Sequence, residues 1–505
     1  MEKNNTAKFS GRNWLILILF GLLGQVAWSV ENMYFNVFVF ETISHDLDAI
    51  TLMVQLSGIT ATVATLIAGV FSDKIGDRRR MISYGYIIWG VTVAAFGFLS
   101  TDLTEALLGV GYDEAVSITL FAVVAGDCIM TLFGSTANDA AFNAWVTDNT
   151  EQSYRGSVEG VLSILPLVSM LIVAGGFGII KDLVGYTWLF AGLGILIIAC
   201  GVAGIFIVKD APTLERSGGM KDIFYGFRPS VVKGNLPLYV TLLIIVVYSV
   251  ALQIFMPYMI IYMREYLGFS TIEYSLVFGI AIAAGAVLNV FLGRLSDRMD
   301  KVKLMYIAAG TMAVGLLAMY LAKGLGKVGD LIAFGVAGFF MISGFIFLSA
   351  LCGSVVRDYT PADSAGKLQG VRMVFSVLIP MIAGPAIGNA INKAMNVPLP
   401  NAGADAMTTE YIPAPEIYLA ASLVLLLCFA LIPLLTYVVK RHGSYGTVAE
   451  CASTAEASSP DTSVINGEEG ATGAVDDAEY VSESDTADTG NCANEIDSVT
   501  ENGAV

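Results

Sequence analysis

The chain has 505 residues, 55% hydrophobic and only 14% charged, with a mean hydropathy of +0.70, a balance that excludes a water-soluble domain of this size. Its formal net charge of −17 belongs to one end: residues 443–505 hold 14 acidic residues and no Lys or Arg, so the rest is near −3. Neither part has the basic excess of a nucleic-acid binder, and none is expected as a partner.

Apolar runs of about 20 residues, the length that crosses a hydrocarbon core, recur along the chain. They predict helices over 13–38, 49–71, 81–100, 115–143, 155–180, 186–208, 237–264, 272–292, 302–322, 330–352, 367–391 and 416–439, which makes twelve. The first run follows a short basic segment. It continues through Glu31, Asn32 and Tyr34 without a small-residue cleavage site, so it reads as helix 1 rather than a signal peptide.

Helix 1 carries Gln25, Trp28, Ser29, Glu31, Asn32 and Asn36, expected on one side at about 100° per residue and facing a water-filled cavity. Helix 2 offers Gln55, Ser57, Thr60, Thr62 and Thr65 but no acid before Asp73. It runs into a charged hairpin with Gly69, Ser72, Asp73, Lys74, Gly76, Asp77, Arg78, Arg79 and Arg80, and the hairpin between helices 8 and 9 echoes it with Gly293, Arg294, Ser296, Asp297, Arg298, Asp300, Lys301 and Lys303. Helix 4 places Asp127, Thr131, Ser135 and Asn138 within a quarter turn, with Asp139 beside them.

After helix 4, Asp148, Thr150, Gly156, Gly160 and Val161 recur as Asp358, Thr360, Gly366, Gly370 and Val371, at a constant offset of 210. Arg155 and Glu159 have the spacing of a helix-start ion pair. Both echoes pair a position in the first six helices with its equivalent in the second six. The chain therefore divides into a first bundle at 1–208, a linker at 209–236 whose 223–227 piece is expected on the inner membrane surface, a second bundle at 237–442, and a disordered acidic tail at 443–505. Helix 7 brings Tyr248, Gln253, Pro257, Tyr258 and Tyr262, with a bend expected at the proline.

With the first residue inside, 22 of the 27 Lys and Arg fall on the inner side, which predicts cytoplasmic ends for both termini. Of the six cysteines, Cys128, Cys200, Cys352 and Cys428 lie in predicted spans and Cys451 and Cys492 in the tail, with no CxxC spacing. His45 and His442 both lie outside the spans. No enzyme constellation, metal site or cofactor is expected.

Twelve helices, the six-plus-six repeat and the hairpin pattern at Gly69, Asp73, Lys74, Gly76, Arg78 and Arg79 resemble the major facilitator superfamily over about residues 10–440. The resemblance implies an all-α polytopic membrane protein of two pseudo-symmetric six-helix bundles that alternate access to a central path. Asp77 stands where the family has a basic residue, and Asp300 where the second copy would have Gly. Under that likeness Gly69, Asp73, Gly76, Arg78, Gly293, Asp297 and Arg298 form inner latches: Gly69 permits close helix approach, and Asp73 rests on a helix end of the opposite half and pairs with Arg.

The segment Gln25, Trp28, Glu31, Asn32 and Tyr34 is similar to helix 1 of sucrose-type and glycoside–pentoside–hexuronide cation symporters, which implies a sugar or glycoside as solute. The melibiose-permease type carries cation-binding acids on helix 2; here helix 2 has none, so a proton is the expected coupling ion. An ionisable group costs about 2.5–3.5 kcal/mol at a membrane-helix centre, so each one needs a reason.

Glu31 is the first candidate for proton coupling and Asp127 the second, the plain alternative for each being a buried acid bonded to a helix neighbour. Trp28 and Tyr258 are candidates to stack on sugar rings, with Gln25, Asn32, Asn138 and Gln253 as polar contacts. Asp139 is a gate residue or a structural partner of Arg372. The expected activity is secondary active uptake of a solute at the plasma membrane; the alternatives are an exporter of amphipathic compounds and a carrier-like sensor acting through the tail.

Overall fold

The computed structural model describes residues 9–150, 154–211, 224–296, 299–360, 365–399 and 411–442. The predicted tail, Asp297 and Arg298 lie outside the described residues, as do the side chains of Arg155 and Glu159. The helical body to Val438 is one compact unit; of the second unit, Val439–Val505, only the end of the last helix is described.

Ten described helices are long and apolar enough to cross a membrane, and an eleventh span is Arg78–Phe96, which bends by 86° into the short helix Thr101–Leu108. The run Gly160–Ile207, at 48 residues, would be about 72 Å long as one helix, more than twice a bilayer core of about 30 Å. It is two spans: at Gly185 the backbone leaves the helix, with φ 80° and ψ 168°, a conformation glycine reaches without a Cβ clash.

The twelve spans are α1 Gly11–Thr42, α2 Leu47–Ile75, α3 Arg78–Phe96, α4 Tyr112–Asn149, α5 155–184, α6 186–207, α7 Leu236–Tyr266, α8 Thr271–Ser296, α9 Lys301–Leu321, α10 Lys327–Asp358, α11 365–395 and α12 Glu416–Arg441. Their order is the predicted one. Several outrun the apolar windows because the helix continues to its polar ends. We call the face where α1 begins the inner face and the opposite one the outer face.

Within the first half, α3 and α6 nearly touch backbones: a Cβ on Gly90 would lie 2.5 Å from the Gly194 carbonyl oxygen. Small residues permit this in lipid, where packing replaces the hydrophobic drive. The described part of the predicted linker packs on the second half. Val231 and Val232 lie on a cluster of Leu238, Tyr239, Leu242, Val356, Leu368 and Val371, while Phe224 and Phe227 are exposed. At the outer face Val397 pairs with Ile412 and Pro398 with Tyr411 in a two-residue antiparallel bridge.

Candidate functional site

Glu31 opens a widened, π-helical turn of α1, Glu31–Phe35, and α4 has another at Ser135–Phe142; such turns recur at functional sites. Glu31 is 7% exposed. Its Oε1 accepts from Ser57 Oγ of α2 at 2.9 Å and from Thr131 Oγ1 of α4 at 3.0 Å, and those two hydroxyl oxygens are 2.8 Å apart. Asp127, 2% exposed, lies one helical turn before Thr131.

Each acid keeps one buried oxygen without a partner, Glu31 Oε2 and Asp127 Oδ1. No Lys, Arg or His is among their described hydrogen-bond or ion-pair partners. Two buried carboxylates with no cation beside them carry a large desolvation cost unless a positive charge joins them.

The single polar side expected for helix 1 is divided in the structure. Ser29 Oγ lies 3.0 Å from Ser169 Oγ of α5, whereas Glu31 turns to α2 and α4, because two residues advance a helix by about 200°. Asn32 and Asn36 donate to the carbonyls of Trp28 and Asn32, at 2.8 and 3.0 Å. Gln25, Trp28, Asn32 and Gln253 are half-buried. Asn138 Oδ1 accepts from the Tyr86 hydroxyl at 2.9 Å, and its amide donates to Asp139 at 3.2 Å. The expected pairing of Asp139 with Arg372 is not formed: its partners Trp28, Ser135 and Asn138 belong to α1 and α4, and Arg372 is exposed on α11.

At the inner face the two sequence echoes of each half meet. Arg78, with 6% of its side chain exposed, reaches Asp73 at 2.6 Å, Asp148 at 3.0 Å and the Ser72 hydroxyl. In the second half Lys301 reaches Asp358 and Ser354, each at 2.7 Å. The residues that depart from the family pattern are helix caps: Asp77 accepts from the Arg80 amide at 3.0 Å, and Asp300 from the Val302 amide at 3.0 Å. Asp300 is thus the counterpart of Asp77 rather than of Gly76, and the second hairpin is one residue shorter.

Gly76 ends α2 at φ 68°, with its amide bonded to the Ser72 carbonyl, the left-handed helix stop that favours glycine. The Asp73 contact with Arg78 stays within the first half instead of crossing to the other. A Cβ on Gly69 or Gly293 would meet nothing within 4 Å, so neither glycine permits a close approach here.

The close approach of α2 to the second half lies further out, at Gly58 against Met381 of α11. From there to the outer face the halves are fastened together. Gln55 donates to the Ile382 carbonyl at 2.9 Å, Thr51 lies 2.8 Å from the Tyr258 hydroxyl, and that hydroxyl donates to the Pro385 carbonyl at 3.0 Å. Asp48 accepts from Asn389 and faces Lys393 at 3.5 Å, and Glu41 of α1 pairs with Arg264 of α7 and with Lys181. Tyr258 is fully buried in this closure and seals α7 against α2 and α11, so it shows no ring face to a solute in this conformation.

Ser57 and Thr131, named in the sequence among the polar residues of helices 2 and 4 but not as site residues, are the hydroxyl contacts of the acid cluster. A hydroxyl in an apolar span is too common to mark Ser57, whereas Thr131 shares a helix face with Asp127.

The profile of the Major Facilitator Superfamily matches residues 17–385. Among solved structures, the nucleoside transporter NupG is similar in fold: a point mutant of it has TM-score 0.61 at 13% identity over 83% of this chain and 98% of that one. The unmutated form has TM-score 0.57 at 12% identity, over 84% and 99%. A bacterial homologue of the iron transporter ferroportin, in an outward-facing state, has TM-score 0.54 at 15% identity over 84% and 98%. No curated protein matches. The profile spans most of the helical body and the fold agrees with it: this chain belongs to the major facilitator superfamily, and is a membrane transporter rather than an enzyme.

Proposed function

We propose that the protein is a proton-coupled carrier that takes up a sugar or glycoside across the plasma membrane by alternating access, with both termini in the cytoplasm. The observation that carries the coupling is the acid cluster: Glu31 and Asp127, buried together, each with an unpartnered oxygen and no basic partner among the described residues. A proton is the counter-charge that needs least room in this buried cluster. Glu31 is the main carrier and Asp127 the second, with Asp139 further along α4 toward the inner face.

The sugar assignment rests on the helix 1 resemblance and on the half-buried Gln25, Trp28, Asn32 and Gln253. Gating belongs to the inner hairpins, through Asp73, Gly76 and Arg78 of the first with Asp297 and Arg298 of the second, and to the outer closure. The test is uptake into proteoliposomes under an imposed inward proton gradient, over a panel of sugars, glycosides and nucleosides, for the wild type and Glu31→Gln. Gradient-driven accumulation of a panel member, lost in Glu31→Gln, is expected. No accumulation of any sugar or glycoside together with expulsion of a cationic dye would refute the uptake reading.

A further inference from the structure

Helix α2 touches two things with two faces. Asp48, Thr51, Gln55 and Gly58 follow one another at three- and four-residue spacings, which puts them on one stripe of the helix, and each meets the second half at the outer closure. Ser57 points more than about 100° away from that stripe. Its hydroxyl donates to Glu31 in the acid cluster. A helix moves as a rigid rod over such a length, so a shift that parts the outer stripe from α7 and α11 also carries Ser57 away from Glu31.

We propose that α2 transmits the protonation state of the Glu31–Asp127 pair to the outer closure, and that Ser57 is the positioning residue through which it does so. This rests on the reading of the pair as a proton site. The sign follows from the hydrogen bond. Ser57 donates to an ionised Glu31 in a charge-assisted bond, roughly twice as strong as a neutral one, and that bond holds α2 in the position seen here, with the outer face closed. Protonation of Glu31 weakens it and releases α2, so proton loading favours opening of the outer face.

The groups facing Glu31 are Asp127 and Asp139 of α4, with Cys128 of α4 nearby and hydroxyls alone from α2. Thr131 serves as an internal control: it donates to the same Glu31 oxygen from α4, and its other partner, Ser57, is in the cluster itself.

The experiment is hydrogen–deuterium exchange with mass spectrometry on the full chain in lipid nanodiscs, at acidic and at alkaline pH, following peptides over residues 45–56 and 385–395. The wild type is expected to exchange at least about threefold faster at acidic pH in both peptides. Ser57→Ala should lose that pH difference, Ser57→Thr should restore it, and Thr131→Ala should keep it. The proposal is overturned if Ser57→Ala retains the difference or if Thr131→Ala abolishes it equally. The double variant Glu31→Gln with Asp127→Asn separates the two levels. If the difference survives there, the proton-site reading itself fails; if it vanishes there but survives in Ser57→Ala, only the route through α2 fails.

Discussion

Arg78→Ala tests the inner-face triad. The guanidinium, 6% exposed, is bonded to Asp148, 26% exposed, to Asp73, 44% exposed, and to Ser72. Hydrogen bonds to charged groups contribute about 1.5–3 kcal/mol each, but the Asp73 pair is partly screened and counts for under about 1 kcal/mol. Loss of Arg78 therefore costs about 3 kcal/mol, and Arg78→Lys, which keeps the charge but not the fork, about half of that. For a half of roughly 200 residues this is a fall of about 6–12 °C in unfolding temperature. The assay is thermal unfolding of the purified protein in detergent, run as a double-mutant cycle with Asp148→Asn. A coupling energy of about 1.5 kcal/mol or more is expected; effects that add within about 0.5 kcal/mol would refute the direct pair.

Asp77→Ala and Asp300→Ala should each cost about 1 kcal/mol through loss of a helix cap, while Asn at either position should be nearly neutral; if Asn costs as much as Ala in thermal unfolding, the charge rather than the cap matters. Gly90→Leu should prevent folding or cost several kcal/mol, because the Gly194 carbonyl occupies the place of its side chain, whereas Gly69→Ala should be tolerated. Comparison of monodisperse yield for the two variants checks this, and equal yields would contradict the packing described. Tyr258→Phe removes the hydroxyl that lies between Thr51 and Pro385 without changing ring volume, so it should weaken outer closure by about 1–2 kcal/mol. Faster exchange over residues 48–56 with global stability little changed is the expected reading, and an unchanged rate would mean that the hydroxyl holds nothing shut.

How far the sequence could be read depends on how local each signal is. The ungapped echo at offset 210 and the hairpin echo correctly paired the halves, yet they did not show that Arg78 binds Asp148 and Lys301 binds Asp358. The partners are 70 and 57 residues apart, and only the folding of each bundle brings them together. Asp77 and Asp300 were visible as departures from a pattern. Their role as caps was within reach, since each stands one residue before a helix start.

The sequence by itself determined that the chain crosses a membrane many times, where the spans fall and which positions repeat, because apolar length and spacing are properties of the chain alone. It also marked Glu31 and Asp127 by cost, since an acid in lipid is rare whatever surrounds it. Tertiary structure decided the rest. It gave Glu31 the partners Ser57 and Thr131, kept Asp73 and Asp139 within their own half, and buried Tyr258 in the outer closure. A polar residue on a membrane helix must find a partner, but which helix supplies it is set by how the helices are packed, and no local pattern encodes that.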